Sequence, residues 1–467
     1  MIPNPAIRIE DVLTDFECYR YRTPIKFGGM AFDRATILNV RMQVCDTQGR
    51  RMIGFGSMPL GNVWAFPSRR LTYDQTLSAM RQLAERFREE AILVEDYGHP
   101  MELGLWLEER FLRAAPEVAA RLQLTEPIPK LAVLVVGSAF DAAVHDAYGK
   151  LLGRSAYHCY GPDCLPGDLS RWLGRDFRGQ TLEQYISREP KPKLPLYHLV
   201  GALDPLEAED VAQPVGDGLP ETLGEWITYN GLTHLKIKLN GDDLAWDVER
   251  VVRVDRVAEQ VQSQCGIVQW WYSLDFNERC GTVDYLLEFM KQLQERAPRA
   301  WQRVQYIEQP THRDLKTHGR VDLHAASQWK PIVADEALTD LESLYLARDL
   351  GYTGVALKAC KGQTQSLLVA AAAQRLGMFV CVQDLTCPGA SLIHSAGLAA
   401  HVPPVAAIEA NARQYMPQAN RAWEERFPGI FRMTDGYMRT GEITGPGLGA
   451  VPPEVPAGSE PVWENPP

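Results

Sequence analysis

From about residue 190 to 410, short apolar and β-branched runs alternate with longer stretches in which apolar residues recur at helical spacing. That rhythm belongs to repeated βα units and a parallel sheet. Eight strands are predicted, at 194–201 (LPLYHLVG), 233–239 (THLKIKL), 267–275 (IVQWWYSLD), 303–309 (RVQYIEQ), 331–336 (PIVADE), 354–358 (GVALK), 378–384 (MFVCVQD) and 405–409 (VAAIE). Between them, 243–263 shows the helical half of the pattern, with Leu244, Val248, Val251, Val252 and Val254 on its apolar stripe. Eight such strands predict an α/β fold, a closed TIM-like barrel whose reactive groups sit at the C-terminal strand ends.

The first 130 residues read differently. Strand-like segments at 34–46 and 50–58 precede helical stretches at about 73–95 and 103–123, and strands followed by helices without alternation predict a separate α+β unit. Residues 131–192 supply a small-residue bridging helix (133–151) and a long connection, 193–414 the barrel, and a Pro/Gly-rich tail within about 415–467 is expected to complete the α+β unit. Connections as long as 152–192 and 202–230 usually serve as lids or binding segments.

Charge and composition narrow the partner. The 467 residues are 45% hydrophobic and carry a formal net charge of -11 without a dense Lys/Arg block, so neither nucleic acid nor an anionic membrane is expected, and a small molecule is. MIPNPAIRIEDV lacks a signal-peptide pattern and no uninterrupted apolar run suggests a span, so a cytoplasmic location is the expectation. Nine scattered cysteines without a CxxC pair predict reduced thiols. His158, Cys159 and Cys164 lack a second half-site for a metal and read as packing or loop residues.

Three consecutive strands end in acids: Asp275 in YSLDFNE, Glu308 in YIEQP and Asp335 in VADE. Acids that close a strand are ordinary caps when single. Three converging on one barrel mouth repel one another unless a cation neutralises them. With no His or Cys at these ends, the donor set suits a hard ion, Mg²⁺ before Mn²⁺. Lys236 and Lys238 share one face of the second strand, and Leu235, Ile237 and Leu239 the other. Lysines defending an edge strand are the bland explanation, but a closed barrel has no edge. Lys358 ends the sixth strand, opposite the second in an eight-membered ring, with Lys361 just beyond. Burial, a nearby cation and a second lysine should each depress a lysine's pKa from about 10.4 toward the range of a working base. Such a pair suits removal of the proton α to a carboxylate.

These motifs together, K-x-K (Lys236, Lys238), D-x-N (Asp275, Asn277), I-E-Q-P (307–310), A-D-E (334–336), Lys358 and the helix SAFDAAVHDAYGK, resemble the enolase superfamily. The resemblance is to its mandelate racemase/muconate-lactonizing-enzyme-like members, nearest the lysine–lysine branch that includes dipeptide epimerases. It implies a modified (β/α)₇β barrel with an α+β capping domain and Mg²⁺ held by Asp275, Glu308 and Asp335. It also implies Lys238 and Lys358 as opposed acid/base groups and Lys236 as an electrostatic aid beside the substrate carboxylate. Capping loops at 21–30 and 54–64 would set specificity, their glycines letting backbone approach a ligand, and the assembly would be a homo-oligomer. Asn277, Glu336, Asp384 and Glu409 are the candidate substrate contacts. The seventh strand ends in Gln383-Asp384 without the histidine of the racemase-like branch, and the eighth carries Glu409 and Asn411 where dipeptide epimerases pair aspartates.

The expected activity is enolate formation on a carboxylate, as a racemase or epimerase, a cycloisomerase or a dehydratase. A Schiff-base-forming barrel lyase with a nucleophilic lysine and a non-catalytic metal-binding relative are the alternatives.

Overall fold

The computed structural model describes residues 6–27, 30–317 and 321–450. An antiparallel sheet opens the chain: β1 (Ile7–Phe27), β2 (Met30–Asp46) and β3 (Arg51–Pro59), in that order. β1 runs on through most of the segment expected to be a capping loop. Its residues beyond Val12 mix charged with aromatic and β-branched types, and pairing with β2 down to Phe27↔Met30, with a register shift between Arg20 and Ile25, makes it a strand. Helices Tyr73–Ala91 and Pro100–Arg121 follow. Thr72 and Gln75 close a capping box on the first, and the His99 imidazole accepts from Met101 N on the second.

The helix Lys130–Leu151 is long and apolar enough to cross a membrane, yet 94% of its most apolar window is buried inside the protein. It is the packing axis between sheet and barrel. A Cβ built on Gly54 would fall 2.0 Å from Ala143 O, and one on Gly56 1.9 Å from Ala139 O. These two glycines let β3 lie directly against the helix backbone. That corrects the expectation that they admit a ligand.

The barrel strands are β4 (Leu194–Val200), β5 (His234–Lys238), β6 (Trp271–Asp275), β7 (Val304–Glu308), β8 (Ile332–Ala334), β9 (Gly354–Leu357), β10 (Phe379–Val382) and β11 (Ile408–Glu409). Each is parallel to the next, and β11 pairs back on β4 through Ile408↔Leu196 and Glu409↔Tyr197. The ring is closed, a modified TIM barrel with a capping domain. Leu235 and Ile237 of β5 are fully buried in the main apolar core. A second apolar cluster, Tyr197, Tyr306, Val333, Ala356, Cys381 and Ala407, gathers side chains from six barrel strands and their flanks, the layered packing that makes such a barrel a solid.

The tail and the long connection do structural work. β12 (Tyr437–Met438) adds antiparallel to β4. Buried Asp146 accepts from Phe55 N at 2.8 Å and from Leu448 N at 2.9 Å, so one carboxylate ties the capping sheet, the bridging helix and the tail together. Residues 451–467, and with them the rest of the expected Pro/Gly strap, lie outside the described residues. The 152–192 connection, expected as a lid or binding segment, lies against the helix Gly389–His401. The Tyr157 ring stacks on His401 at 3.7 Å, and Ser187 N and Lys191 N donate to the carbonyls of His401 and Ala400.

Candidate active site

The parallel register sets Lys238, Asp275 and Glu308 side by side, since Lys238↔Asp275 and Asp275↔Glu308 are direct partners across β5, β6 and β7. Side chains at paired positions of a parallel sheet point the same way. All three therefore enter the barrel mouth. Asp335 stands one residue past β8, and Lys358 one past β9.

Lys236 is the hub. Its ammonium donates to Glu308 Oε1 at 2.8 Å and Glu409 Oε2 at 2.9 Å, and lies 3.1 Å from Asp275 Oδ2. Lys238 donates to Asp275 Oδ2 at 2.6 Å, and Lys358 lies 2.8 Å from Asp335 Oδ2. Lys361, on the turn after β9, reaches both the carbonyl and the carboxylate of Asp335. Gln383 donates to the second oxygen of Glu308 at 2.5 Å, and Asn411 to Glu409 Oε1 at 2.6 Å. The proposed metal acids and the facing lysines thus form one buried network.

The ionisation of this network follows from its contacts. Burial, then the neighbouring Asp275 carboxylate, pushes Glu308 well above the usual carboxylate range. Burial works against ionised Asp275, but Lys238 and Lys236 overcome it and hold Asp275 low. Asp335 falls to about 2, burial again being outweighed, here by Lys358 and Lys361. Burial and Asp335 push Glu336 up to about 8, and burial and Glu409 push Asp384 up to about 7. At Lys358 and Lys236 the carboxylate contacts act against the direction that burial alone would give. Burial disfavours the charged form of Lys358, but contact with Asp335 raises its pKa above the free value, and Glu308, Glu409 and Asp275 do the same for Lys236.

Two aromatic side chains from the capping domain cover the facing lysines. The Trp64 ring centroid lies 4.6 Å from Lys358 Nζ and that of Phe27 5.8 Å from Lys238 Nζ, both at cation–π range. Trp64 is fixed from two sides: its indole donates to Glu336 Oε1 at 2.9 Å, and its carbonyl accepts from Arg313 Nη1 at 2.9 Å. Arg313 in turn chelates Glu278. Neither Arg313 nor Glu278 had a sequence signal: Arg313 takes its role from Trp64, 249 positions away, and Glu278 takes its own from Arg313.

Of the four expected substrate contacts, Glu409 joins the network through Lys236 and Asn411, and Glu336 stands beside it on the Trp64 indole. Asn277 lines a small cavity with Lys26, Lys238, Asn240 and Arg279. Asp384 is turned to local work, accepting from Thr386 N, Cys387 N and both nitrogens of Asn411. Backbone strain concentrates here too. Asn277 (φ 45°), Glu278 (φ 67°), Gln309 (φ 31°) and Thr386 (φ 54°) are left-handed non-glycine residues just beyond β6, β7 and β10.

Among the described residues no three His, Cys, Asp or Glu side chains form a ready-made ion cage; ammonium groups are seated on the carboxylates. The donor set still fits a divalent cation. Asp275, Glu308, Asp335 and Glu409 are buried acids that share the ammonium groups of Lys236, Lys238, Lys358 and Lys361, and Glu336 is a further buried acid beside them. Glu336 Oε2 has no hydrogen-bond partner. An acid donor set made only of oxygens suits a hard cation.

A family model described as enolase C-terminal domain-like matches residues 219–454. No curated protein matches the chain. Among solved structures, the chain is similar to a substrate-liganded L-Ala-D/L-Glu epimerase from Bacillus subtilis (17% identity, 96% of this chain and 100% of that one, TM-score 0.62). It is also similar to an enolase from Bradyrhizobium complexed with magnesium and mandelic acid (17%, 97% of each chain, TM-score 0.58). A muconate lactonizing enzyme from Pseudomonas fluorescens complexed with muconolactone (18%, 83% of each chain, TM-score 0.54) has the same fold.

Proposed function

The chain belongs to the enolase superfamily, and from that premise we propose that it is a Mg²⁺-dependent enzyme that removes the α-proton of a small carboxylate substrate. The observation that carries this is the seating of Lys238 on Asp275 and of Lys358 on Asp335. The two lysines stand at β5 and β9, with three strands between them on either side of the ring.

Asp275, Glu308 and Asp335 would hold the cation, which when bound supplies positive charge for the substrate's carboxylate and competes with the lysines for these acids. Everything else falls to the chain's own side chains. Lys236, held by Glu308 and Glu409, places a fixed ammonium where the substrate carboxylate gathers charge. Lys238 and Lys358 approach the α-carbon from opposite sides, one accepting the proton at its Nζ and the other delivering one at its own. Trp64 and Phe27 stand over their ammonium groups at cation–π range. Racemisation, epimerisation, cycloisomerisation and β-elimination all start from this step. The two relatives in complex with mandelic acid and with muconolactone bound carboxylate-derived ligands on the same scaffold, which supports the substrate class. A Schiff-base lyase would leave the convergence of Asp275, Glu308 and Asp335 without a task.

The test is solvent exchange. In ²H₂O with Mg²⁺, a panel of α-substituted carboxylates followed by NMR should contain one that gains deuterium at its α-carbon, and EDTA should stop the gain. Exchange that persists after chelation refutes the metal assignment.

A further inference from the structure

The 202–230 connection, expected from its length to be a lid or binding segment, covers a cavity of about 270 Å³ on the outside of the barrel wall. His198 and Val200 of β4 line it. They alternate with Tyr197, which joins the cluster inside the barrel, and so face away from the barrel interior. The helix Leu223–Asn230 closes one side, with the Trp226 ring 5.6 Å from that of His198. Val200, Val211, Leu223 and Trp226 supply apolar walls. Arg22 of β1 reaches in from the capping domain, donating to Asp217 Oδ1 at 2.9 Å and to the Leu219 carbonyl at 3.1 Å, which pins the connection in place.

One charge beside this cavity lacks a counter-ion. Arg413 is only 8% exposed, and among the described residues its guanidinium donates to neutral partners alone, Asn230 Oδ1 at 2.6 Å and His198 Nδ1. Burial pulls its pKa down to about 9, which leaves it charged at neutral pH. A guanidinium cannot accept, so His198 Nδ1 does. Burial and Arg413 keep His198 neutral, and its one ring proton therefore sits on Nε2. His198 is 2% exposed, and that Nε2–H has no partner among the described residues. The other charged groups lining the cavity are engaged. Arg22 is held by Asp217, Asp210 by Arg253 and two backbone amides, and Glu221 by Val215 N and Gly216 N. Asp204 accepts from Gly201 N and the Tyr415 hydroxyl, with the charges of Arg250 and Arg22 favouring its ionised form against burial.

We propose that this cavity is a second binding site, for a small carboxylate with an apolar body. The carboxylate accepts from His198 Nε2–H, and the body lies against Val200, Leu223 and Trp226. Arg413 polarises the imidazole from behind, since hydrogen bonds in a chain strengthen one another in a low-dielectric interior. An anion at this place supplies the counter-charge that buried Arg413 lacks. The volume stands just below the usual range of ligand pockets, about 300–1,000 Å³, which limits the ligand to roughly one ring. The site lies apart from the barrel lysines, and its occupancy does not depend on the α-proton chemistry.

Isothermal titration of the full-length protein with benzoate, and with the uncharged benzamide, tests this in the parent, Leu203→Trp, His198→Phe and Lys358→Ala. Leu203 lines the cavity and is 51% exposed, so Leu203→Trp narrows the cavity from its rim without loading the core. Benzoate should bind the parent and Lys358→Ala alike, at least about tenfold more tightly than benzamide. Leu203→Trp and His198→Phe should each weaken benzoate by at least about tenfold, with circular dichroism unchanged; should His198→Phe fail to fold, Leu203→Trp decides. The proposal is overturned if benzoate does not bind at millimolar concentration, if it binds no better than benzamide, or if Leu203→Trp leaves its affinity unchanged. Binding that disappears in Lys358→Ala also overturns it, by placing the ligand at the barrel mouth.

Discussion

The indole of Trp64 stands over the ammonium of Lys358 with its N–H bound to Glu336. One capping-domain side chain therefore fixes a catalytic candidate and a buried acid together. Losing the ring forfeits a cation–π contact of about 1–2 kcal/mol, so Trp64→Ala should lower kcat/KM for the exchanging substrate by about 5–30-fold. Trp64→Phe retains a ring face and should recover most of that loss. Steady-state kinetics on the two variants check it; equal losses in both would assign the effect to the Glu336 hydrogen bond.

Lys236 contacts three buried acids at once. Lys236→Met leaves these acids without their common cation, and removing one partner of a buried charge cluster costs about 3–5 kcal/mol. Chemical denaturation should show that loss. Saturating Mg²⁺ should restore part of it in Lys236→Met, because an ion that binds only the folded state stabilises it by mass action. In Lys236→Met/Glu308→Gln the restoration should be weaker.

His99 is neutral by construction. Its Nδ1 accepts from Met101 N and its Nε2 donates to the Cys159 carbonyl; burial and the nearby His145 lower its pKa to about 3. The unfolded chain takes up a proton near pH 6.5 and the folded chain does not, so this contribution is full above pH 6.5 and fades as the pH falls toward 3. Between pH 7 and 5 it amounts to about 2 kcal/mol. His99→Gln should flatten the pH dependence of the unfolding free energy by that amount over this interval. An unchanged slope would mean that His99 titrates normally.

The barrel was legible because strand and helix periods alternate cleanly from Leu194 to Glu409, and the mouth was legible because its acids and lysines fall at strand ends that the register aligns. What the sequence hid depends on contacts between distant segments. Gly54 and Gly56 look like loop glycines until Ala139 and Ala143 are set against them. Trp64 and Arg313 acquire their roles only from partners 272 and 249 positions away. The raised pKa of Lys358 was hidden for a related reason: composition reveals burial, but not that Asp335 touches Lys358.

The assignment of two opposed lysines is tested most directly by deuterium incorporation at the α-carbon, in ²H₂O with Mg²⁺, for the parent protein, Lys238→Ala, Lys358→Ala and the exposed-site control Lys316→Ala. The expected result is exchange in the parent and the control and a loss of at least about 10²-fold in each of the other two, with circular dichroism showing that both remain folded. Exchange at the parent rate in Lys238→Ala and Lys358→Ala would contradict the assignment.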